Sequence, residues 1–305
     1  MKAIVLSEYG DPNRLELRDR PEPEPGAGQI KVRVASAGLN PVDWKLRSGA
    51  LQKVMPLELP AILGRDAAGE VVRVGAGVTE FKEGDHVLGL VQGGYAQYVV
   101  AATEAWAKLP PELAAKDAGA LPLALLTGDQ LAEATLGPSA GMGLTVLVTG
   151  ALGAVGRVAA WGIRQRGARV LAGVRSSQLT EAESLGVDQV IAIDDNAAIA
   201  RMPFVDCVAD TVGGEVLTQL LPKIKNNGTI GSVLGEPKGA KERGLMVSAF
   251  FTHPDSAKLA HLAAAVAAGE LEIPIAKRFP LSEAPVAHAL AEQGGIGKIV
   301  LMPFA

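Results

Sequence analysis

Alternating apolar and polar positions mark the first third of the chain. Ile30-Lys31-Val32-Arg33-Val34 and Glu70-Val71-Val72-Arg73-Val74 keep a period of two, which predicts half-buried strands. Turn residues crowd between such runs: Pro21, Pro23, Pro25, Gly26 and Gly28, then Gly75, Gly77, Gly84, Gly89, Gly93 and Gly94. Short strands cut by Gly and Pro predict a β-rich module, a rolled sheet. The pattern changes near residue 112, where an Ala- and Leu-rich stretch runs to 136, broken by Pro122 and Gly128. From 145 onward short apolar runs at 145–149, 169–174, 188–193, 205–210 and 228–234 predict strands. Helical spacing over 154–167, 181–185 and 216–223 alternates with them, which predicts a parallel, doubly wound sheet. An amphipathic helix over 254–268, a strand within 269–278, a helix over 284–293 and a strand over 298–302 close the chain. The order is a β-rich part, an inserted α/β part and a short return.

Composition narrows the class. The 305 residues are 48% hydrophobic and 20% charged, so the chain is globular and long enough for about two domains. Aromatics are only 4%, against 36 Gly and 19 Pro, so the core must be built from Ala, Val, Leu and Ile. The net charge of −4, with no long basic block, argues against nucleic acid as the main partner. The single cysteine, Cys207, excludes an internal disulfide and any zinc site built on several thiolates. No apolar run approaches a membrane span and no signal-type segment is visible, so no membrane association and a cytoplasmic location are the expectation.

The strand ending at Thr149 runs into Gly150-Ala151-Leu152-Gly153-Ala154-Val155-Gly156, and a helix follows at once. Glycine lets the backbone approach a pyrophosphate, and a helix N-terminus turns free N–H groups toward negative charge. Placed between strand and helix, this GxxGxxG spacing points to a dinucleotide. The next strand ends in Val174-Arg175-Ser176-Ser177, where an NAD site usually offers Asp or Glu. Arg175 and Ser176 offer a cation and a hydroxyl instead, which suits the 2′-phosphate of NADPH. Arg175 also fits a plain solvated loop charge.

Further runs carry a resemblance. These are Gly38-Leu39-Asn40-Pro41-Val42-Asp43-Trp44-Lys45, Gly64-Arg65-Asp66-Ala67-Ala68-Gly69-Glu70-Val71, Phe81 to Val87, Gly93-Gly94-Tyr95-Ala96-Gln97-Tyr98, and Leu121 to Thr127. With the glycine turn, their order resembles the medium-chain dehydrogenase/reductase superfamily, in its zinc-independent, quinone-oxidoreductase-like branch. The resemblance implies an α/β fold in which a Rossmann domain, residues 123–252, is inserted into a GroES-like catalytic domain of residues 1–122 and 253–305. It implies an active site in the cleft between them, a small-molecule substrate and a homodimer. Where the zinc alcohol dehydrogenases have cysteine, histidine and cysteine ligands, this chain has Asn40, Arg65 and Leu123, so no catalytic zinc is expected. Arg65 is expected to fill part of the vacated space, paired with Asp43 or Asp66.

The function implied is NADPH-dependent reduction of a quinone or an α,β-unsaturated carbonyl; the alternative is an NADPH-binding scaffold or regulator with little turnover. By resemblance, Asn40 and Thr127 approach the reacting end, and Leu234, Gly235, Phe250, Phe251 and Lys298 lie by the cofactor. Trp44 and Arg65 line the substrate space. Blander roles stay open: Asn40 shaping a turn before Pro41, Thr127 bonding within a helix, Trp44 in the core, and Phe250-Phe251 as an edge-strand packing pair at a dimer interface. Tyr95 and Tyr98 read as packing residues and Cys207 as an inert buried thiol. His86, His253, His261 and His288 show no ligand spacing.

Overall fold

The structure, a computed structural model, describes residues 1–137 and 141–305. The chain divides into two compact units, one of Met1–Leu123 with Pro254–Ala305, the other of Ala124–His253. In chain order the elements are β1 (Lys2–Leu6), β2 (Leu15–Asp19), β3 (Gln29–Leu39), α1 (Pro41–Ser48), β4 (Ala61–Ile62), β5 (Asp66–Val74), β6 (His86–Leu90), β7 (Tyr98–Ala102) and β8 (Trp106–Lys108). Then come α2 (Ala115–Ala118), α3 (Pro122–Leu136), β9 (Thr145–Thr149), α4 (Ala154–Gln165), β10 (Arg169–Val174), α5 (Leu179–Ala182), β11 (Gln189–Ala192), α6 (Asn196–Arg201), β12 (Val205–Asp210), α7 (Gly214–Leu220), β13 (Ile224–Ser232) and β14 (Met246–Ala249). The chain ends with α8 (Ser256–Ala267), β15 (Ile275–Pro280), α9 (Ala284–Glu292) and β16 (Lys298–Met302).

In the first unit, β3 is the spine. It pairs antiparallel with β5, β7 and β16, and the larger sheet runs β15-β16-β3-β5-β6-β8. Its alternation works as the sequence predicts at Ile30, Val32 and Val34, which enter a core with Val71, Val87, Trp106, Ile299 and Leu301. Lys31 departs from the pattern, because its stem is buried beneath other chain segments. Its ammonium is held by Glu22 at 2.5 Å and Glu24 at 3.1 Å, over the Tyr98 ring. Helix α1 carries no apolar periodicity strong enough to foretell it. Pro41 opens it at the first helical position, where the missing N–H costs nothing, and Gly49 ends it in the left-handed region at φ 81°.

The second unit is one sheet, β11-β10-β9-β12-β13-β14, with every pairing parallel. Counted from β9 the order is 3-2-1-4-5-6, the Rossmann arrangement. Both faces are covered: Val146, Val148, Val170 and Ala172 pack into one core layer, and Leu147, Leu171, Val208 and Ile230 into the other. Burial on both sides is why these strands read as continuous apolar runs rather than alternations. Strand β14 and helix α6 gave no such signal, being short and largely exposed.

Candidate functional site

At the head of α4 two glycines are required by geometry. Gly150 has φ +63°, and a Cβ there would lie 2.5 Å from Thr211 Oγ1. A Cβ on Gly156 would lie 2.2 Å from the Gly150 carbonyl oxygen and 2.8 Å from Ala151 Cα. Gly153 caps α4 in an extended conformation, and its N–H donates to the Gly150 carbonyl at 2.9 Å. The first turn of α4 therefore presents the N–H groups of Ala154, Val155 and Gly156, which have no acceptor within the helix. No acidic side chain stands in that turn to repel an anion. These residues fit a dinucleotide pyrophosphate.

Beneath the turn lies a residue the sequence reading did not single out. The buried Asp210 carboxylate, at the end of β12, accepts from Thr149 Oγ1 at 2.8 Å, Ser232 Oγ at 2.9 Å and the Gly213 N–H at 2.9 Å. It ties the ends of β9, β12 and β13 together. The signal available was an aspartate closing an apolar strand just before Gly213-Gly214.

Arg175 and Ser176 are exposed at the end of β10, with Arg175 Nε donating to Gln178 Oε1 at 3.2 Å. The Ser176 N–H and hydroxyl both donate to Asp194 Oδ1, at 2.8 and 2.7 Å. These bonds hold the Asp194 carboxyl below its usual range, the hydroxyl bond most of all. Asp194 is a second residue that sequence reasoning passed over.

Leu234 is exposed, and Gly235 has φ +100°. Phe250 and Phe251 do not form part of the edge strand, since β14 stops at Ala249. Phe250 packs on the core while Phe251 is 66% exposed. The segment that follows is strapped to α3: Thr127 Oγ1 lies 2.7 Å from Thr252 Oγ1, and Gln130 Nε2 donates to the His253 carbonyl at 2.8 Å.

The first unit holds a buried polar cluster. Antiparallel register pairs Ile299 of β16 with Leu39 of β3, so the next residues along, Lys298 and Asn40, come side by side. Lys298 Nζ donates to Asn40 Oδ1 at 2.6 Å and lies 3.6 Å from Asp66 Oδ2. Asn40 Nδ2 donates to Asp66 Oδ2 at 2.8 Å and, more weakly, to the Gly38 carbonyl at 3.4 Å. Asp66 Oδ1 accepts the Leu123 N–H at 2.6 Å. Asn40 is also the N-cap of α1, and Asp43 Oδ2 accepts both its backbone N–H at 2.8 Å and the Tyr95 hydroxyl at 3.0 Å. Tyr95 is fully buried and makes an edge contact with the His288 ring.

Burial governs the charges. It pushes the Asp43 carboxyl up to about 7, with neighbouring Asp66 adding to the rise and the bonds from Asn40 and Tyr95 opposing it. Burial also raises Asp66 and lowers Lys298, each held back by the other's charge. Asp43 therefore titrates near neutral pH, while the attraction between Lys298 and Asp66 works against the burial that disfavours charge on each. Arg65 does not play the expected part: it makes no ion pair with Asp43 or Asp66, and its buried Nε has no hydrogen-bond partner. Lys298, contributed by the last strand, is the cation that meets Asp66. Trp44 is half-buried against the core, with Lys45 Nζ 5.6 Å from its ring. Cys207 is buried in β12. Among the described residues no three His, Cys, Asp or Glu side chains converge as a metal site, and no helix is long and apolar enough to cross a membrane.

Comparison with known proteins places this geometry. The alcohol dehydrogenase GroES-like domain family matches residues 26–111, and the zinc-binding dehydrogenase family matches residues 185–301. The chloroplast envelope quinone oxidoreductase homolog of Arabidopsis thaliana is 30% identical, over 99% of this chain and 98% of that protein. The structure of the quinone oxidoreductase from Coxiella burnetii superposes with a TM-score of 0.88 at 31% identity, covering 99% of both chains. A mycobacterial protein solved in complex with NADPH superposes with a TM-score of 0.82 at 27% identity, over 99% of this chain and 100% of that one. Glycine turn, sheet order, the Asn40 and Asp66 runs and full-length similarity agree: the chain belongs to the quinone-oxidoreductase-like branch of the medium-chain dehydrogenase/reductase superfamily.

Proposed function

We propose that the protein is a zinc-independent reductase that takes hydride from NADPH to a quinone or to the β-carbon of an α,β-unsaturated carbonyl. The observation that carries this reading is the glycine turn at the head of α4, packed so closely that a Cβ on Gly156 would collide with the Gly150 carbonyl. The bound nicotinamide would supply hydride, and a conjugated acceptor spreads the arriving charge onto its oxygen, so a strong electrophile is not needed. The chain's own residues hold and orient. Gly150, Gly153, Ala154, Val155 and Gly156 take the pyrophosphate, and Arg175 offers its cation to the 2′-phosphate.

Asn40 acts as an acceptor in this reading. Both its amide N–H groups are directed at acceptors and one Oδ1 lone pair takes Lys298, which leaves the other for a hydroxyl such as a ribose's. Thr127, whose hydroxyl is paired with Thr252, keeps capacity for two further bonds. Leu234, Gly235, Phe250 and Phe251 are assigned to the cofactor, and Trp44 and Arg65 to the substrate. Independence from zinc is supported by the donor set: an ammonium already sits on the Asn40 oxygen, and Arg65 and Leu123 offer no ligand. The exposed edge of β14, with Met246 58% accessible, suits pairing with a second copy.

Steady-state oxidation of NADPH and NADH, in chelator, against an ortho-quinone, a para-quinone, a linear enone and a saturated ketone tests the proposal. Turnover of the conjugated acceptors with NADPH, unchanged by chelator and absent for the ketone, is expected. Activity lost to chelator would overturn the zinc-free assignment. NADPH binding with no turnover on any acceptor would replace the enzyme with the scaffold.

A further inference from the structure

The sheet order places three side chains along one edge of the second unit. Because β9, β10 and β11 are parallel neighbours, the glycine turn after β9, Arg175 and Ser176 after β10, and Asp194 just after β11 all lie at the strands' C-terminal ends. In an open parallel sheet this is the edge where a dinucleotide lies, with its adenosine ribose beyond the second strand. Both hydrogen-bond donors that Ser176 could offer a 2′-phosphate, its N–H and its hydroxyl, are already given to Asp194 Oδ1 at 2.8 and 2.7 Å. The carboxylate so held carries a full negative charge at neutral pH, where a 2′-phosphate would bring about two more. A carboxylate has about four acceptor sites, and Ser176 uses two, so capacity remains for a ribose hydroxyl. The adjoining Asp195 is committed elsewhere, capping α6 through the Ala197 N–H at 2.8 Å.

We propose that Asp194 is a specificity-determining residue for the cofactor's adenosine end. It accepts the 2′-hydroxyl of NADH and opposes the 2′-phosphate that Arg175 attracts, so the chain's preference for NADPH is small. In an NAD-type site that carboxylate comes from the end of the second strand; here the third strand supplies it, and Ser176 fixes its orientation. The inference rests on the glycine turn being a dinucleotide site, as proposed above.

The size of the effect follows from charge. A doubly charged phosphate about 6 Å from one carboxylate in water loses roughly three- to tenfold in affinity once salt screening is counted. The test is titration of NADPH and NADH fluorescence against wild type, Asp194→Asn and Arg175→Ala, at low and at physiological salt. Asp194→Asn keeps an acceptor for Ser176 and removes the charge. Its affinity ratio for NADPH over NADH should rise three- to tenfold, more at low salt, while Arg175→Ala should lower the ratio. An unchanged ratio in Asp194→Asn, with both nucleotides still bound, would overturn the role of Asp194 and leave the cofactor reading standing. Binding of neither nucleotide to any of the three proteins would overturn the cofactor reading itself, and this inference with it.

Discussion

Replacing Lys298 by Met removes one charge from the buried cluster and keeps most of the side chain's volume. In the native protein Lys298 is 7% exposed, and its ammonium satisfies Asn40 Oδ1 at 2.6 Å and faces Asp66 at 3.6 Å. Without it, the fully buried Asp66 retains the Asn40 Nδ2 and Leu123 N–H bonds but has no cation. Breaking a buried ion pair from one side costs about 3–5 kcal/mol. The loose contact and the two surviving hydrogen bonds put Lys298→Met near the lower end, about 3 kcal/mol. The loss should depend on pH. With its cation gone, the Asp66 carboxyl rises further, so the folded state holds a proton that the unfolded chain releases. Stability is then best near the unfolded carboxylate pKa and falls as pH rises toward the folded one, so the variant should be nearest to wild type at pH 5 and furthest at pH 8. Adding Asp66→Asn gives a sharper result. In the single Asp66→Asn variant the new amide N–H₂ faces Asn40 Nδ2, because Lys298 holds the Asn40 oxygen. In the double variant Asn40 is free to turn its oxygen toward the amide introduced at position 66, and no charge is left unpaired. The double variant should therefore be about 1–2 kcal/mol more stable than Lys298→Met alone. Urea unfolding at pH 5 and pH 8, with matched m-values, measures all four corners. Losses that simply add, or a Lys298→Met variant within about 0.5 kcal/mol of wild type at pH 8, would refute the reasoning.

Other expectations follow from single residues. His288 is wholly buried, neither ring nitrogen has a hydrogen-bond partner, and burial with nearby Arg47 holds its pKa down to about 3. Its stabilising effect is complete above the unfolded value of about 6.5 and is lost as pH falls toward 3, which amounts to about 2 kcal/mol between pH 8 and pH 5; His288→Phe should remove that share of the acid sensitivity in urea melts, and equal losses in both proteins would exclude it. Gly156→Ala puts a Cβ 2.2 Å from the Gly150 carbonyl oxygen, so the turn must open. It should weaken NADPH binding by fluorescence titration more than about tenfold and cost about 1–3 kcal/mol in stability. Cys207 is 5% exposed and burial pushes its thiol pKa up, so a thiol reagent should label it at least about a hundredfold faster in denaturing urea than in buffer, and rapid native labelling would contradict its placement.

The second unit was largely legible because its signals are local. Strands buried on both faces are apolar throughout, and the glycine turn needs no partner to declare itself; β9, β10, β12 and α4 stand where their patterns predict. What escaped the sequence lacks a local signal. Strand β14 is short and exposed, and β13 begins at Ile224 through the polar run Lys225-Asn226-Asn227, where the register with β12 shifts between Ile224 and Thr229 and no apolar pattern marks the strand. Asp194 was invisible as a partner of Ser176 because the two meet only when β10 and β11 lie side by side. Arg65 was expected to pair with Asp43 or Asp66, yet the cation that faces Asp66 is Lys298, which only the pairing of β16 with β3 brings there.

Lys298 shows how register decides chemistry. It lies 258 residues from Asn40 in sequence, and the antiparallel pairing of β16 with β3 alone brings the two together. A slip of one residue in β16 would turn Lys298 away, put Ile299 or Gly297 beside Asn40, and leave Asp66 without its cation. The pairing is pinned by Ile299 and Leu301, which the same slip would take out of the core, so burying those two apolar side chains and delivering the ammonium are one event. A cluster that would be costly as an isolated buried charge is thus assembled by hydrophobic register. Its cation comes from folding itself, and the polar site around Asn40 forms only when the chain's last strand has docked.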